Sequence, residues 1–276
     1  MSDSAPVLGF IGLGVMGGGM CANAVRKHGA PVHVFDMNGD AVAAQVAVGA
    51  VAAASVADVA RVASVIFLSL PGGKQVRAVC AEIAGHAAPG TVVVDLSTTA
   101  VADARDVAAM LAEKGLAFVD APVARTRQAA IDGTLSIMVG ASAGVFAQVE
   151  PLLRYMGSDV TLCGEVGCGQ VVKLINNTLL FEQVAAIAEM MVVAERAGVT
   201  PETLIAAVGL GSGNSFALQT HAKTAMAPRD FPEKAFPSTY VLKDLGYTIE
   251  LATQMGVEPR VARLAGEYYQ AAVDTG

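Results

Sequence analysis

Residues Val7–Met20 read VLGFIGLGVMGGGM. The run begins as a short apolar strand and breaks at Gly12-Leu13-Gly14-Val15-Met16-Gly17, a G-x-G-x-x-G that opens a helix. Glycines so placed permit a tight turn and let the backbone approach a diphosphate, whose charge the helix N-terminus attracts. The string alone is a weak signal, but its context is right. The next strand-like run, VHVFD, ends in Asp36, about 20 residues past Gly17. A carboxylate there accepts hydrogen bonds from the ribose 2′- and 3′-hydroxyls and repels a 2′-phosphate. The reading predicts a dinucleotide cofactor, NAD in preference to NADP, held by Gly12, Leu13, Gly14, Val15, Met16, Gly17 and Asp36. Lys74, Arg26 and Arg61 are cations that could reach a phosphate instead, and the structural alternative is a glycine-rich turn beside a solvated Asp.

Working outward, the first half alternates apolar runs with Ala-rich stretches. PVLGFIGLG, PVHVFDM, SVIFLSLP, TVVVDLST, GLAFVDAPV and GTLSIMVG are the strand candidates. Segments such as ADARDVAAMLAEKG between them repeat apolar residues at helical spacing. This βαβα order predicts an α/β fold, a Rossmann-type doubly wound sheet with helices on both faces. Near Gly164 the pattern changes. From Gly169 to Ala197 there is neither Pro nor internal Gly, which suits one helix about 40–45 Å long. Such a helix bridges into a second, all-helical domain. The predicted domains are residues 1–164, binding the dinucleotide, and 165–276, serving substrate and oligomerisation.

Composition narrows the function classes. With 18 Lys and Arg against 25 Asp and Glu, the net charge of −7 argues against a nucleic-acid surface. No uninterrupted apolar segment reaches the roughly 20 residues of a membrane span, and MSDSAPVLGFIG lacks the features of a signal peptide. Cys21, Cys80, Cys163 and Cys168 show no CxxC spacing, which suits buried thiols in a reducing, cytoplasmic setting. His28, His33, His86 and His221 have no ligand spacing, so no metal site is expected.

Within GCGQVVKLINN, Lys173 and Asn177 are four residues apart and share a helix face. Their neighbours are mostly apolar. A hydride transfer needs a proton delivered to or taken from the substrate oxygen, and a cation there also stabilises a developing alkoxide. Lys173 fits that role, with Asn177 fixing the ammonium or the substrate and Asn176 less well placed. On this stretch alone a Lys snorkelling from an amphipathic helix fits equally.

Together these motifs resemble the β-hydroxyacid dehydrogenase family, which includes 3-hydroxyisobutyrate dehydrogenases, tartronate semialdehyde reductases and sulfolactaldehyde reductases. GFIGLGVMGGGM, DLSTTA, DGTLSIMVG, GCGQVVKLINN and YVLKDLGYTIELA stand in the family's order along nearly the whole chain. The resemblance implies an oxidoreductase that interconverts a small β-hydroxy acid and its semialdehyde or keto form, with Lys173 as general acid/base. It also implies cofactor contacts at Leu70 and Pro71 of SLP, at Thr98 of DLSTTA and at Lys243, and assembly as a homodimer or homotetramer.

Two departures from the family stand out. Where most members read Pro-Val-Ser-Gly-Gly, this chain reads Pro122-Val123-Ala124-Arg125-Thr126. The usual Ser hydroxyl is gone at Ala124, Thr126 offers a replacement, and Arg125 adds a planar fork of donors suited to an anion. The substrate contacts implied are Ala124, Arg125, Thr126, Lys173 and Asn177, and the substrate is a small carboxylate or, as in sulfolactaldehyde reductases, a sulfonate. Arg127, two residues on, is expected in solvent. The chain's end, AAVDTG, is also shorter than the usual family tail. The other classes left open are a non-catalytic dinucleotide-binding homologue and an imine reductase.

Overall fold

The computed structural model describes residues 5–231 and 236–275; residues 1–4, the start of the stretch read for a signal peptide, lie outside these. The chain divides into two compact units, Met1–Lys173 and Leu174–Gly276. In the first, β1 (Leu8–Ile11), β2 (Val32–Phe35), β3 (Val51–Ala52), β4 (Val65–Leu68), β5 (Val92–Asp95), β6 (Ala117–Asp120), β7 (Val123–Ala124), β8 (Leu135–Gly140) and β9 (Gly157–Gly164) build one sheet. Its order is β3-β2-β1-β4-β5-β6-β8-β7, with β9 beside β8. Strands β1 to β6 pair in parallel, whereas β8 runs antiparallel to β6 and β7. Strand order reverses between β1 and β4, the place where open α/β sheets bind ligands at the strands' carboxyl ends.

The helices of this unit are α1 (Gly17–His28), α2 (Gly39–Val46), α3 (Val56–Val62), α4 (Gly73–Ala84), α5 (Val101–Ala112), α6 (Arg127–Asp132) and α7 (Ala143–Leu153). Successive strand residues point to opposite faces, and here both faces are apolar. Leu8, Phe10, Val34, Phe67 and Val94 enter one core, while Ile11, Ile66, Leu68 and Val93 enter the other. Each such buried side chain stabilises the fold by about 1.5–3 kcal/mol relative to exposure. That two-sided burial is why the strands read as continuous apolar runs.

Strands β3 and β9 fall outside the sequence expectation. The two residues of β3 are both exposed. Strand β9, GSDVTLCG, interleaves Ser158, Asp159 and Thr161 with apolar residues and is partly exposed. It lies at the margin of the sheet, where a polar flank hides the apolar signal.

The described part of the second unit is all helix. Helix α8 (Cys168–Arg196) starts in the first unit and continues into the second. It is followed by α9 (Pro201–Val208), a π-helical segment (Leu218–Met226), α10 (Ser238–Gln254) and α11 (Arg260–Thr275). Phe181, Val241, Leu245 and Ala262 form one small core there. By length and composition α8 could cross a membrane, against the expectation that no segment was long enough. Yet its Lys173, Asn177 and Thr178 are buried polar side chains. The sheet ends at Gly164, but the first turns of α8 still belong to the sheet unit.

Candidate active site

The glycine loop lies at the strand-order reversal, between β1 and α1. Gly12 has φ +92°, and a Cβ there would collide with the Ser69 carbonyl oxygen. A Cβ at Gly17 would collide with the Gly12 carbonyl oxygen, whereas nothing lies within 4 Å of the position a Cβ would take at Gly14. The turn is therefore crowded on its protein side and open at Gly14, as a cradle for a diphosphate requires. Asp36 follows β2 directly beside it: Oδ2 accepts the Leu13 N–H at 2.6 Å and Oδ1 the Asn38 N–H at 2.7 Å. A carboxylate has about four lone-pair sites, so two remain for ribose hydroxyls. Leu13 is buried, whereas Val15 is exposed and Met16 half-buried.

The ends of β4 and β5 are joined through Ser97. Its hydroxyl accepts the Leu70 N–H at 2.8 Å, and its own N–H donates to Asp95 Oδ1 at 3.0 Å. Leu70 and Thr98 are half-buried here and Pro71 is exposed. Ser97 and Asp95 have no assigned role in the sequence reading; their adjacency to Thr98 at a strand end is the only local signal of one.

Helix α8 is fixed to the same strand ends by two buried side chains. Asp120, the last residue of β6, accepts the Gly167 N–H at 2.7 Å and the Gln170 N–H at 2.8 Å, so it caps the helix with a carboxylate. Burial pushes its carboxyl up to about 6, against the lowering effect of these N–H groups. Gln170, itself fully buried, donates from Nε2 to the Ser97 carbonyl at 2.8 Å and accepts the Thr99 N–H at 3.1 Å. Lys173 follows one turn later, only 8% exposed.

Further along the helix, in the second unit, Asn177 donates to Asp244 Oδ2 at 2.7 Å. Lys243 Nζ stands 3.3 Å from the other oxygen of Asp244 and 5.6 Å from the ring centroids of Tyr240 and Tyr247. Asp244 therefore brings together two expected site residues, Asn177 and Lys243. A carboxylate between Val241 and Leu245 on the buried face of a helix was the available sign of it.

The loop after β7 differs most from expectation. Ala124 is buried opposite Ser136 of β8. Arg125 has φ +87°, a conformation L residues rarely adopt. Its guanidinium pairs with Asp159 at 2.8 Å and donates to Ser158 Oγ at 3.0 Å and to the Thr134 carbonyl at 2.5 Å. The cation expected to meet a substrate anion thus already meets a carboxylate of β9. The Ser158 hydroxyl and then the Arg125 guanidinium hold the Asp159 carboxyl below its usual range. Thr126, expected to replace the lost Ser hydroxyl, caps α6 by accepting the Ala129 N–H at 3.3 Å. Arg127 is exposed at the start of that helix. Helix α6 in turn is bound to α1, because buried Asn23 donates to the carbonyls of Ala130 and Ile131, each at 2.9 Å.

A family model described as the NAD binding domain of 6-phosphogluconate dehydrogenase matches residues 7–164, and one described as NAD-binding of NADP-dependent 3-hydroxyisobutyrate dehydrogenase matches residues 167–276. The chain belongs to the β-hydroxyacid dehydrogenase family. It is 36% identical to a 2-(hydroxymethyl)glutarate dehydrogenase of Eubacterium barkeri, over 95% of this chain and 88% of that protein. It is 34% identical to an NAD-dependent L-serine dehydrogenase of Pseudomonas aeruginosa, over 98% of this chain and 93% of that one. The solved structure of Mycobacterium tuberculosis 3-hydroxyisobutyrate dehydrogenase with L-serine matches with a TM-score of 0.91 at 31% identity, covering 98% of this chain and 94% of that one. This β-hydroxyacid dehydrogenase is accordingly an NAD(P)-dependent oxidoreductase.

Proposed function

We propose that the protein interconverts a small 3-hydroxycarboxylic acid and its aldehyde or ketone, using NAD in preference to NADP. The observation that carries this reading is the burial of Lys173 on a helix whose first turn is bonded to the ends of β5 and β6. A dry ammonium at that place is suited to hold the substrate oxygen and exchange a proton with it. When bound, NAD supplies a carbon centre that takes or gives the hydride. The Gly12–Gly17 loop would hold its diphosphate, Asp36 its adenosine ribose, and Leu70, Pro71 and Thr98 its nicotinamide half. Asn177 orients the group at the substrate carbon, and Asp244 in turn fixes Asn177. The family resemblance carried by YVLKDLGYTIELA supports a cofactor contact for Lys243.

The choice of carboxylate over sulfonate is supported by Arg125, whose charge is already met by Asp159. A substrate using Arg125 must displace that carboxylate first. The second unit also exposes Ile175, Leu179, Met190 and Val193 along α8, which supports a homo-oligomer covering them.

Turnover of 3-hydroxyisobutyrate, L-serine, 2-(hydroxymethyl)glutarate and 2,3-dihydroxypropane-1-sulfonate, each with NAD and NADP, tests the reading. One of the carboxylates is expected to react with NAD, and Lys173→Ala to lower kcat by about 10²–10⁴-fold with the fold intact. If no substrate is turned over faster than by Lys173→Ala, the reading fails.

A further inference from the structure

We infer that Gln170 is a positioning residue: it sets the rotation of helix α8, and with it the Lys173 ammonium, against the strand-end loop that holds the cofactor's redox end. The inference rests on the reading of Lys173 and Thr98 proposed above.

Gln170 touches three parts of the fold. Its side-chain amide spans the loop around Thr98, donating to the Ser97 carbonyl and accepting the Thr99 N–H. Its backbone N–H is held by Asp120 of β6. A single residue with no exposed surface thus binds the ends of two strands and the helix. Burying a primary amide is unfavourable unless both its ends are satisfied, and an apolar side chain would fill the same volume more simply. What the amide adds is direction, because its two bonds are aligned only at one helix rotation.

Lys173 lies three residues further on, hence on the same face and about 4.5 Å along the axis. Helical backbone between them is stiff, so a rotation at Gln170 is transmitted to Lys173. Small residues keep the joint tight: a Cβ at Gly169 would collide with the Met138 carbonyl and one at Gly140 with the Asp120 carboxylate. The titratable and charged groups described around this joint are Asp95 on β5, Arg105 on α5, Asp120 on β6, Cys163 on β9, and Cys168 and Lys173 on α8.

Two variants test it. Gln170→Met keeps the volume and removes both bonds. Gln170→Glu keeps the Thr99 bond but opposes a carboxylate oxygen to the Ser97 carbonyl; once protonated, the acid both accepts and donates as the amide did. Burial raises the pKa of such an acid, so restoration is expected on mild acidification. With 3-hydroxyisobutyrate and NAD, Gln170→Met is expected to lose about 10–100-fold in kcat, the effect of a misplacement on the order of 1 Å. NADH affinity, read by fluorescence, should stay within about threefold, since the glycine loop is untouched. Gln170→Glu should show a similar loss at pH 9 that shrinks toward pH 6, whereas wild type shows no such recovery.

An arm independent of turnover is the pH profile of Lys173 acetylation by acetic anhydride, read by peptide mass spectrometry. It should shift in Gln170→Met and, at high pH, in Gln170→Glu. A folded Gln170→Met with unchanged kcat and an unchanged Lys173 profile would overturn the inference. So would a Gln170→Glu loss that is the same at every pH, and that variant decides alone if Gln170→Met does not fold. Should wild type turn over none of the acids, the proposed reaction fails, while the labelling arm still tells whether Gln170 sets Lys173.

Discussion

The turn after β1 carries Gly12 at φ +92°, and the turn after β7 carries Arg125 at φ +87°. Both follow a strand of the same sheet, and both ask the backbone for a left-handed conformation. Around Gly12 the demand is steric as well, because a Cβ would collide with backbone at Ser69. At Arg125 the surroundings are open enough for a long side chain, and an unfavourable φ of about 1–2 kcal/mol is the main penalty. It is offset by contacts to Asp159, Ser158 and Thr134. These contacts are screened by solvent, so they offset the strain without outweighing it. A similar positive φ thus demands glycine in one turn and accommodates an arginine in the other.

The hardest test of that contrast is Gly12→Ala. A Cβ against a strand-end carbonyl cannot be relieved by a rotamer change, so a loss of more than about 3 kcal/mol is expected, read by urea unfolding. A loss below about 1 kcal/mol would mean that the first turn is as permissive as the second.

Asp120, at the buried end of β6, holds the start of α8 rather than either turn. Its folded carboxyl titrates near 6, above the ordinary value of 3.8. The folded chain therefore keeps this proton to higher pH than the unfolded chain does. The associated stability is present below pH 3.8 and is lost as pH rises through 6. Against Asp120→Asn, wild type should lose about 2 kcal/mol between pH 4 and pH 7. A flat difference curve from unfolding at several pH values would show that its carboxyl is not desolvated.

Gly14→Ala divides folding from binding within the first turn. With nothing within 4 Å of its Cβ, stability should be unchanged, while NADH affinity falls by about tenfold as the methyl crowds the diphosphate. Equal affinity in a fluorescence titration would move the diphosphate away from this loop.

Arg125→Gly should have the smallest effect, a stability change within about 1 kcal/mol as relieved strain and lost contacts offset each other. KM for 3-hydroxyisobutyrate should change less than about threefold. A tenfold rise would return Arg125 to the role of anion anchor suggested by its sequence context.

The β1–α1–β2 unit was legible because its signal is local: a strand, a glycine string and an acid within one short stretch. The shared face of Lys173 and Asn177 was legible for the same reason, being one helical turn. Their supports were not. Gln170 meets Ser97 across 73 residues and Asn177 meets Asp244 across 67, distances over which spacing carries no information. Arg125 was misleading in another way. It ends an apolar run with no acid beside it in sequence and so reads as a free cation, while its partner Asp159 sits on β9, a strand too polar to read as one.

The contact between α1 and α6 has a consequence for altering this enzyme. A Cβ at Gly19 would come within 3.0 Å of the α6 backbone at Ala130 and Ile131, and Asn23 donates to the carbonyls of those two residues. Helix α6 begins directly after Arg125 and Thr126. The helix after the glycine loop and the turn after β7 are therefore braced against each other through α6. A side chain at residue 19 would push on α6, so the position of that turn can be altered without changing the turn's own residues.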